Sequence, residues 1–190
     1  MSGRSKSILA AALIAAAPLI ASSASAATIT GFTGAYDMSN WTISTGGGSV
    51  NTSGAPNSIY LVEPNNAVGG ATVSVTTTAA STGIFAFDWK VGGSDCGWAT
   101  SYAIVGGASR GLASNCASGS YNAAVSAGDV IGFSIVTKDG IFGSNTLTIS
   151  NFSAPQAPKL SAVPLPATGM MLLTGFGAMA GFRRKSKAKA

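Results

Sequence analysis

The sequence contains no histidine, and this absence excludes much of catalytic chemistry. Without an imidazole, neither a Ser-His-Asp nor a Cys-His arrangement can form, and no histidine can act as a general base or metal ligand. The six acidic residues leave a carboxylate-pair mechanism formally open, with Asp88 and Asp95 as a pair close in sequence. Asp88 falls on the polar side of an alternating strand pattern, which favours a solvent-facing role. We therefore predict that the protein is not an enzyme and uses no cofactor.

Metal ligands are also scarce. The two cysteines alone do not make a metal site, because further soft or imidazole ligands are missing. The aspartates do not follow the D-x-[DN]-x-[DN]-G spacing of a calcium loop. We predict no metal site.

Charged residues make up only 9% of the chain and are unevenly distributed. The formal net charge is +5, yet seven of the eleven basic residues lie before residue 27 or after residue 182. Between Ala27 and Ala167, four basic residues face all six acidic residues, so that this part has a net charge of −2. Binding of nucleic acid requires a basic face that neutralises phosphates. The sequence predicts no nucleic-acid partner.

The N-terminus has the three regions of a secretory signal peptide. Two basic residues lie among the first seven, an apolar run covers residues 8–20, and Ala24-Ser25-Ala26 matches an A-x-A cleavage site. We predict a signal peptide over residues 1–26, cleaved between Ala26 and Ala27. The protein is then exported through the inner membrane.

Cys96 and Cys116 are the two cysteines of this exported chain. Because an exported protein meets an oxidising compartment, a disulfide between them is the default expectation. The chain-entropy model gives a bridge of this span roughly 3 kcal/mol of stabilisation. We predict a structural disulfide.

Alternation of apolar and polar residues is the main signal of secondary structure, and it predicts strands with one buried face. It is clearest around Val73 and Val75, over Phe85–Val91, around Ile131, Phe133 and Ile135, and around Leu147 and Ile149. Weaker strand signals occupy residues 28–32, 41–44, 58–62, 102–105 and 120–125. Trp41 and Trp89 fall within these patterns and are expected in the core.

Glycine pairs and triplets separate these strands at residues 46–48, 69–70, 92–93 and 106–107, and Asp139-Gly140 is expected to form a tight turn. About nine short strands without helices predict an all-β fold, an antiparallel β-sandwich of jelly-roll type. The domain is expected to cover residues 27–154. Residues 155–162, which include Pro155 and Pro158, are predicted to be an extended linker.

Four residues around the cysteines are candidates for carbohydrate binding: Trp98, Tyr102, Arg110 and Asn115. Aromatic rings pack on the C–H faces of sugar rings, while Asn and Arg side chains bond hydroxyl groups. The alternative is that Trp98 covers the disulfide and Tyr102 packs on a strand, as aromatic residues in small domains usually do. We favour the second interpretation for these residues.

The C-terminal residues 163–190 combine three features in a fixed order. Val163, Pro164, Leu165, Pro166 and Ala167 are followed by an apolar span over residues 168–182 and a basic end over residues 183–190 that begins with Arg183, Arg184 and Lys185. As a helix, fifteen residues measure roughly 22 Å, which is short for a hydrocarbon core of about 30 Å. The span therefore fits a transient membrane stop.

This tail resembles the VPLPA-CTERM variant of the PEP-CTERM sorting signals, which exosortases process on Gram-negative bacterial proteins. The resemblance implies an exosortase-type partner, transient residence in the inner membrane and involvement with the exopolysaccharide matrix. Leu165–Gly169 also fits the L-P-x-T-G signal of sortases. A sortase-anchored surface protein is thus the alternative.

The domain between the two ends resembles the small uncharacterised sandwich domains that precede such tails. The resemblance rests on four segments: Asn40-Trp41-Thr42, Phe87-Asp88-Trp89, Ala127-Gly128-Asp129 with Gly132-Phe133, and Asn151-Phe152-Ser153-Ala154-Pro155. It implies a fold more than an activity. We therefore predict an exported, non-enzymatic protein of the cell surface or extracellular matrix, with a carbohydrate-binding module as the alternative.

Overall fold

The computed structural model describes residues 26–157, apart from the side chain of Cys96. Within that range the chain forms eleven β-strands and three short 3-10 helices. The strands are β1 (Ala27–Thr30), β2 (Thr42–Ser44), β3 (Ser49–Asn51), β4 (Ser58–Val62), β5 (Thr72–Thr78), β6 (Gly83–Gly93), β7 (Ala99–Val105), β8 (Ala108–Ala113), β9 (Ser118–Val125), β10 (Val130–Thr137) and β11 (Asn145–Gln156). The 3-10 helices are Gly34–Tyr36, Met38–Asn40 and Cys96–Trp98.

The strands pair antiparallel in two sheets. The first sheet has the order β3-β4-β11-β6-β9, with β1 also pairing with β11, and the second has the order β2-β5-β10-β7-β8. From β4 onward, the order β4-β11-β6-β9 faces β5-β10-β7-β8, which is the strand arrangement of a jelly roll. The predicted all-β sandwich is confirmed.

The alternating patterns place their apolar residues between the sheets, as expected. Phe85, Phe87 and Val91 of β6 are buried, whereas Ala86 and Lys90 between them face outward. Because side chains alternate across a strand, each of these strands contributes every second residue to the core. Trp41 is buried as predicted, and Trp89 is half-buried at the rim of the core.

Some boundaries differ from the prediction. Gly92 and Gly93, expected to form a break, end β6 instead, where they pair with Thr146 and Asn145. The strands β3 and β8 and the 3-10 helices were not expected. β8 has only Leu112 as a large apolar residue, and β3 has three residues, so neither carries a readable alternation.

The expected linker also begins later than predicted. β11 extends to Gln156, and Pro155 is buried opposite Thr28 of β1. The main-chain carbonyl of Pro155 accepts a hydrogen bond of 2.5 Å from the Tyr36 hydroxyl, which anchors this segment to the N-terminal part of the domain. The remainder of the predicted linker, the signal peptide and the sorting tail lie outside the described residues. Over residues 26–157, no helix is long and apolar enough to cross a membrane.

Aromatic side chains join the two sheets. Phe133 on β10 lies with its ring centre 4.7 Å from that of Phe87 and 5.8 Å from that of Phe85, both on β6 of the opposite sheet. Trp41 stacks on the other side of Phe133 at 5.7 Å, and Phe152 of β11 completes the group at 6.3 Å. Such pairs add to the stabilisation that burial of the rings already provides.

The antiparallel topology sorts the loops to two ends of the sandwich. One end, called here the loop end, collects the β4–β5 loop (residues 63–71), the β6–β7 loop (94–98), the β8–β9 loop (114–117) and the β10–β11 loop (138–144). The opposite end carries the β5–β6, β7–β8 and β9–β10 turns. Both Ala27, where β1 begins, and Gln156, where β11 ends, lie at that opposite end, because they pair with each other.

We expect Phe133→Ala to destabilise the domain by about 3–5 kcal/mol, since it removes a ring that contacts five others and leaves a cavity between the sheets. The free energy of unfolding from urea denaturation measures the effect. The matched control is Ile84→Ala, because Ile84 is 55% exposed on β6 and should change stability little. Equal losses in the two variants would contradict the role assigned to the aromatic cluster.

Candidate functional site at the loop end

Exposed apolar side chains gather at the loop end. Val68 lies in the β4–β5 loop, Trp98 in the β6–β7 loop, and Ile141 and Phe142 in the β10–β11 loop, and all four are exposed. We call these four residues the platform. Aromatic and aliphatic side chains grouped on adjoining loops and open to solvent are typical of binding surfaces.

Phe142 is the most exposed residue of the platform, with 79% of its surface accessible. Its φ angle is 64°, in the left-handed region that bulky residues rarely adopt. Gly143 next to it is packed so closely on Ser94 of the β6–β7 loop that a Cβ atom would overlap the serine hydroxyl. A strained backbone that holds an aromatic ring out in solvent is a feature of functional loops.

Trp98 closes the 3-10 helix Cys96–Trp98 and is 52% exposed. Its carbonyl oxygen accepts a hydrogen bond of 2.8 Å from the backbone N–H of Lys138. The Lys138 ammonium donates a second bond of 3.1 Å to the carbonyl of Gly97. Lys138 therefore fastens the loop that carries Trp98 to the loop that carries Phe142.

The β4–β5 loop is tied to the same structure. The N–H of Ala67 donates to the carbonyl of Gly140 at 2.7 Å, and the N–H of Gly143 donates to Asn65 Oδ1 at 3.3 Å. Ala67 itself has a φ of 58°, so it is another residue of this end that adopts the left-handed conformation without being a glycine. Three loops are thus hydrogen-bonded to one another beneath the platform.

A buried Glu–Asn pair lies at the base of these loops. Glu63, only 2% exposed, accepts bonds through Oε1 from the Asn145 side chain at 2.5 Å and from the Asn145 N–H at 3.2 Å. The Asn145 amide also donates to the carbonyl of Asp95 at 2.7 Å. Glu63 Oε2 is buried and has no hydrogen-bond partner among the described residues 26–157. Asn145 thereby connects β11 with both the β4–β5 and the β6–β7 loops.

The loop end is electrically negative. Burial raises the pKa of the Glu63 carboxyl, the hydrogen bonds from Asn145 oppose that rise, and the negative charges of Asp95 and Asp139 add to it. Both aspartates therefore lie within electrostatic range of the buried acid. Across residues 26–157, no group of three cysteine or acidic side chains is arranged to hold a metal ion.

The four carbohydrate candidates taken from the sequence do not form one surface. Asn115 lies in the β8–β9 loop at the same end as Trp98, whereas Tyr102 is half-buried in the middle of β7. Arg110 pairs with Ala103 and so points to the opposite side of the sheet from Tyr102. Of the four, Trp98 is the residue that lies on the platform.

The carboxylates Asp88 and Asp95 are on different elements. Asp88 lies on the outer face of β6, where Ser120 Oγ donates to one carboxylate oxygen at 2.5 Å and Asn151 Nδ2 to the other at 2.7 Å. These hydrogen bonds hold the pKa of Asp88 below its ordinary value. Asp88 is therefore an ionised, hydrogen-bonded surface residue, whereas Asp95 belongs to the loop end.

A second concave region lies where β1 and β4 meet the bulge of β11. It has a volume of about 300 Å³ and is lined by Thr30, Gly31, Thr33, Pro56, Asn57, Asn151 and Phe152. Phe152 is buried, so this region offers no exposed aromatic face. The platform is the stronger candidate site for that reason.

The disulfide stays a prediction, because the Cys96 side chain lies outside the described part of the chain. The backbone places Cys96 in the β6–β7 loop and Cys116 in the β8–β9 loop, both at the loop end. A bridge between them would link the loop that carries Trp98 to a fourth loop.

Sequence reasoning missed Phe142. The prediction for this segment was confined to a tight turn at Asp139-Gly140, and it gave no role to Ile141 and Phe142, two large apolar residues between glycines. Two large apolar residues between Gly140 and Gly143, outside any alternating strand pattern, are the signal that could have identified them.

No family model and no curated protein matches the sequence. Similar solved structures include a family 35 carbohydrate binding module from an environmental isolate, with 18% identity, a TM-score of 0.31, and coverage of 57% of this chain and 86% of the module. Another is the N-terminal cellulose-binding domain of a β-1,4-glucanase from Cellulomonas fimi, with 13% identity, a TM-score of 0.35, and coverage of 64% and 91%. A third is a carbohydrate binding module of the Cellvibrio mixtus lichenase 5A in complex with cellotriose, with 16% identity, a TM-score of 0.29, and coverage of 65% and 95%. These likenesses are distant and concern the fold alone.

We expect Glu63→Gln to raise the melting temperature at pH 7 and to leave it nearly unchanged at pH 3.5. A carboxyl whose folded-state pKa is raised favours folding below its unfolded pKa of about 4.3, and this contribution is lost as pH rises through the folded pKa. Glutamine can still accept both bonds from Asn145 and carries no charge to bury. Thermal denaturation followed by circular dichroism from pH 3.5 to 8 measures the difference.

The control for this pH profile is Asp129→Asn at the opposite end of the sandwich, where no buried acid is involved. A Glu63→Gln variant that is equally destabilised at both pH values would contradict the prediction, because the loss would then not depend on the charge of the carboxyl group.

Proposed function

We propose that this protein is an exported, non-enzymatic carbohydrate-binding protein and that the platform is its binding surface. The observation that carries the proposal is the pair of exposed aromatic residues, Trp98 and Phe142, held on loops that are hydrogen-bonded to each other. The ligand is a polysaccharide outside the cell, for which the matrix exopolysaccharide implied by the tail is the first candidate.

Aromatic rings suit this role because the C–H faces of a sugar ring pack on them, while the ring itself costs little side-chain entropy to order. A platform that is already fixed in the free protein loses less freedom on binding than a flexible one. Hydrogen bonds from Lys138 to the Trp98 loop and from Gly143 to Asn65 supply this fixation. The left-handed backbone at Phe142 fits the same interpretation.

The position of the platform agrees with a tethered protein. β11 runs from Asn145 at the loop end to Gln156 at the opposite end, and the eleven steps between its first and last residue span roughly 36 Å at 3.3 Å per residue. The sorting tail follows Gln156 in the sequence. A membrane anchor at that end leaves the platform facing away from the membrane.

Export and sorting rest on the sequence. The signal peptide over residues 1–26 leads the chain out of the cytoplasm, and residues 163–190 carry the tail that an exosortase-type enzyme processes. Processing by a sortase at Leu165–Gly169 is the competing hypothesis. Both place the domain at the cell surface or in the matrix.

The non-enzymatic part of the proposal is supported by the residues available. The chain has no histidine, and Asp88 and Asp95 belong to separate elements. Asp88 is held ionised by Ser120 and Asn151, so it is a poor general acid at neutral pH.

We expect Trp98→Ala and Phe142→Ala each to weaken glycan binding by at least about ten-fold, or roughly 1.4 kcal/mol. Each substitution removes an exposed ring on which the sugar would stack, and neither substitution changes a residue of the core. The measurement is a glycan array with the full chain in mild detergent, followed by calorimetric titration of the best ligand.

The matched control is Arg110→Ala, which removes an exposed candidate residue that lies away from the platform. Circular dichroism verifies that all variants keep the fold. If the wild-type protein binds no glycan, or if Arg110→Ala weakens binding as much as Trp98→Ala, the platform is not a carbohydrate site.

The processing enzyme can be identified with two pairs of substitutions, because the overlapping motifs differ at their ends. Val163→Ala with Pro164→Ala alters the VPLPA pattern and keeps Leu165–Gly169 intact. Thr168→Ala with Gly169→Ala does the reverse. We expect mass spectrometry of the mature C-terminus to show lost processing only in the first pair, whereas loss only in the second pair would identify a sortase.

A further inference from the structure

We propose that the platform selects glycans that carry free amino groups, so that its preferred ligand is a cationic polysaccharide of deacetylated amino sugars. This inference rests on the proposed carbohydrate-binding function and adds the charge of the ligand. Its basis is the arrangement of carboxylates around the two aromatic rings.

Each exposed aromatic residue has an aspartate three positions before it. Asp95 precedes Trp98, and Asp139 precedes Phe142. Asp95 stands at the start of the 3-10 helix Cys96–Trp98, where a carboxylate commonly caps the first turn, yet its side chain makes no capping bond. The Asp95 carboxylate is therefore not engaged in capping the helix that carries Trp98.

The Asp139 carboxylate already accepts one hydrogen bond. One of its oxygens, Oδ1, accepts a bond of 3.1 Å from the N–H of Ile141, which orients the carboxylate beside the platform. In the part of the chain that the structure describes, neither Asp95 nor Asp139 forms a salt bridge. Lys138 is the one basic residue of the four loops, and its ammonium donates to the Gly97 carbonyl instead of to either carboxylate.

The buried carboxyl of Glu63 is connected to the Asp95 main chain through the Asn145 side chain, and its Oε2 has no partner within residues 26–157. An unpaired polar atom of this kind in a protein interior is unusual and calls for an explanation. Its position within range of Asp95 and Asp139 makes the loop end a place where negative potential accumulates. A cation at the platform offsets the mutual repulsion of the three acids.

The charge is concentrated at this end. The four loops carry three carboxylates and one ammonium, a net charge of −2, while the remainder of residues 26–157 carries three acids and two basic residues, a net charge of −1. The one ammonium, that of Lys138, already donates to the Gly97 carbonyl. That bond uses one of the three N–H donors of the ammonium, so the loops keep a net negative charge together with this one positive group.

An ammonium group on a sugar gains twice from this arrangement. It is attracted by the carboxylates, and it can also lie against the face of Trp98 or Phe142 in a cation–π contact. An acidic polysaccharide is repelled by the net negative charge of the loops, which gives discrimination against the wrong partner. A polysaccharide of N-acetylated amino sugars has the same sugar backbone but lacks the positive charge of the free amino groups.

The test compares two ligands that differ only in the charged group: fully N-acetylated and fully deacetylated chito-oligosaccharides of equal length, titrated into the full chain in mild detergent. We expect the deacetylated ligand to bind at least about ten-fold more tightly at low ionic strength. The difference should shrink as sodium chloride is added, because salt screens exposed charges. Oligogalacturonate, an acidic ligand, should not bind.

The variant that tests the mechanism is Asp95→Asn combined with Asp139→Asn, which keeps the shape of both side chains and removes their charge. We expect it to bind both chito-oligosaccharides with nearly equal affinity. The matched control is Asp129→Asn at the opposite end of the sandwich, which should keep the preference of the wild type.

Two negative outcomes are distinguishable. Equal or tighter binding of the N-acetylated ligand by the wild type overturns the charge selection and leaves carbohydrate binding intact. Absence of binding to any glycan, on the array and in titration, removes the proposed function and this inference together.

Discussion

The contact between Phe133 of one sheet and the aromatic residues of the other is the interaction on which the remainder of the structure depends. Its ring lies between Phe87 on one side and Trp41 on the other, so it joins β6 of the first sheet to the segment before β2. This small domain has no long helix within residues 26–157 to cover either sheet, and burial between the sheets must therefore supply most of its stability. The loops at each end are positioned only because the strands that carry them are held at a fixed separation.

The loop end uses that fixed frame to hold a strained arrangement. Asn145 connects three segments through its side chain, and the orphan oxygen of Glu63 and the left-handed Phe142 both cost stability. A domain selected for stability alone gains nothing from an exposed phenylalanine in that conformation. Two of the three left-handed non-glycine residues, Ala67 and Phe142, lie at this end with Glu63, whereas the third, Asn151, lies in the bulge of β11. The exposed aromatic ring at Phe142 favours a functional explanation for the strain at this end.

The sequence predicted the parts of the fold that alternation controls. The register of Phe85–Val91 and of Ile131–Ile135 follows from the need to bury every second side chain, so the sandwich and its core residues could be read in advance. The prediction of a break at Gly92 and Gly93 was wrong. A glycine can also end a strand where the paired residue packs closely against it, as Asn145 does against Gly93. The candidate site was only partly predictable. Trp98 stood out because it is a tryptophan beside a cysteine, whereas Phe142 owes its importance to a backbone conformation and to loops distant in sequence.

The negative charge of the loop end also bears on the orientation of the domain in the proposed membrane attachment. The two ends of the domain differ in what they carry: the loop end holds three of the six carboxylates, and the opposite end holds the residues that lead toward the tail. Membrane surfaces that contain anionic lipids repel negative charge over about a Debye length, roughly 8 Å at physiological salt. A tethered domain that tilts its loop end toward such a surface meets this repulsion, whereas one that stands upright does not. In the proposed arrangement, the charge that would select a cationic ligand would also turn the platform away from the membrane.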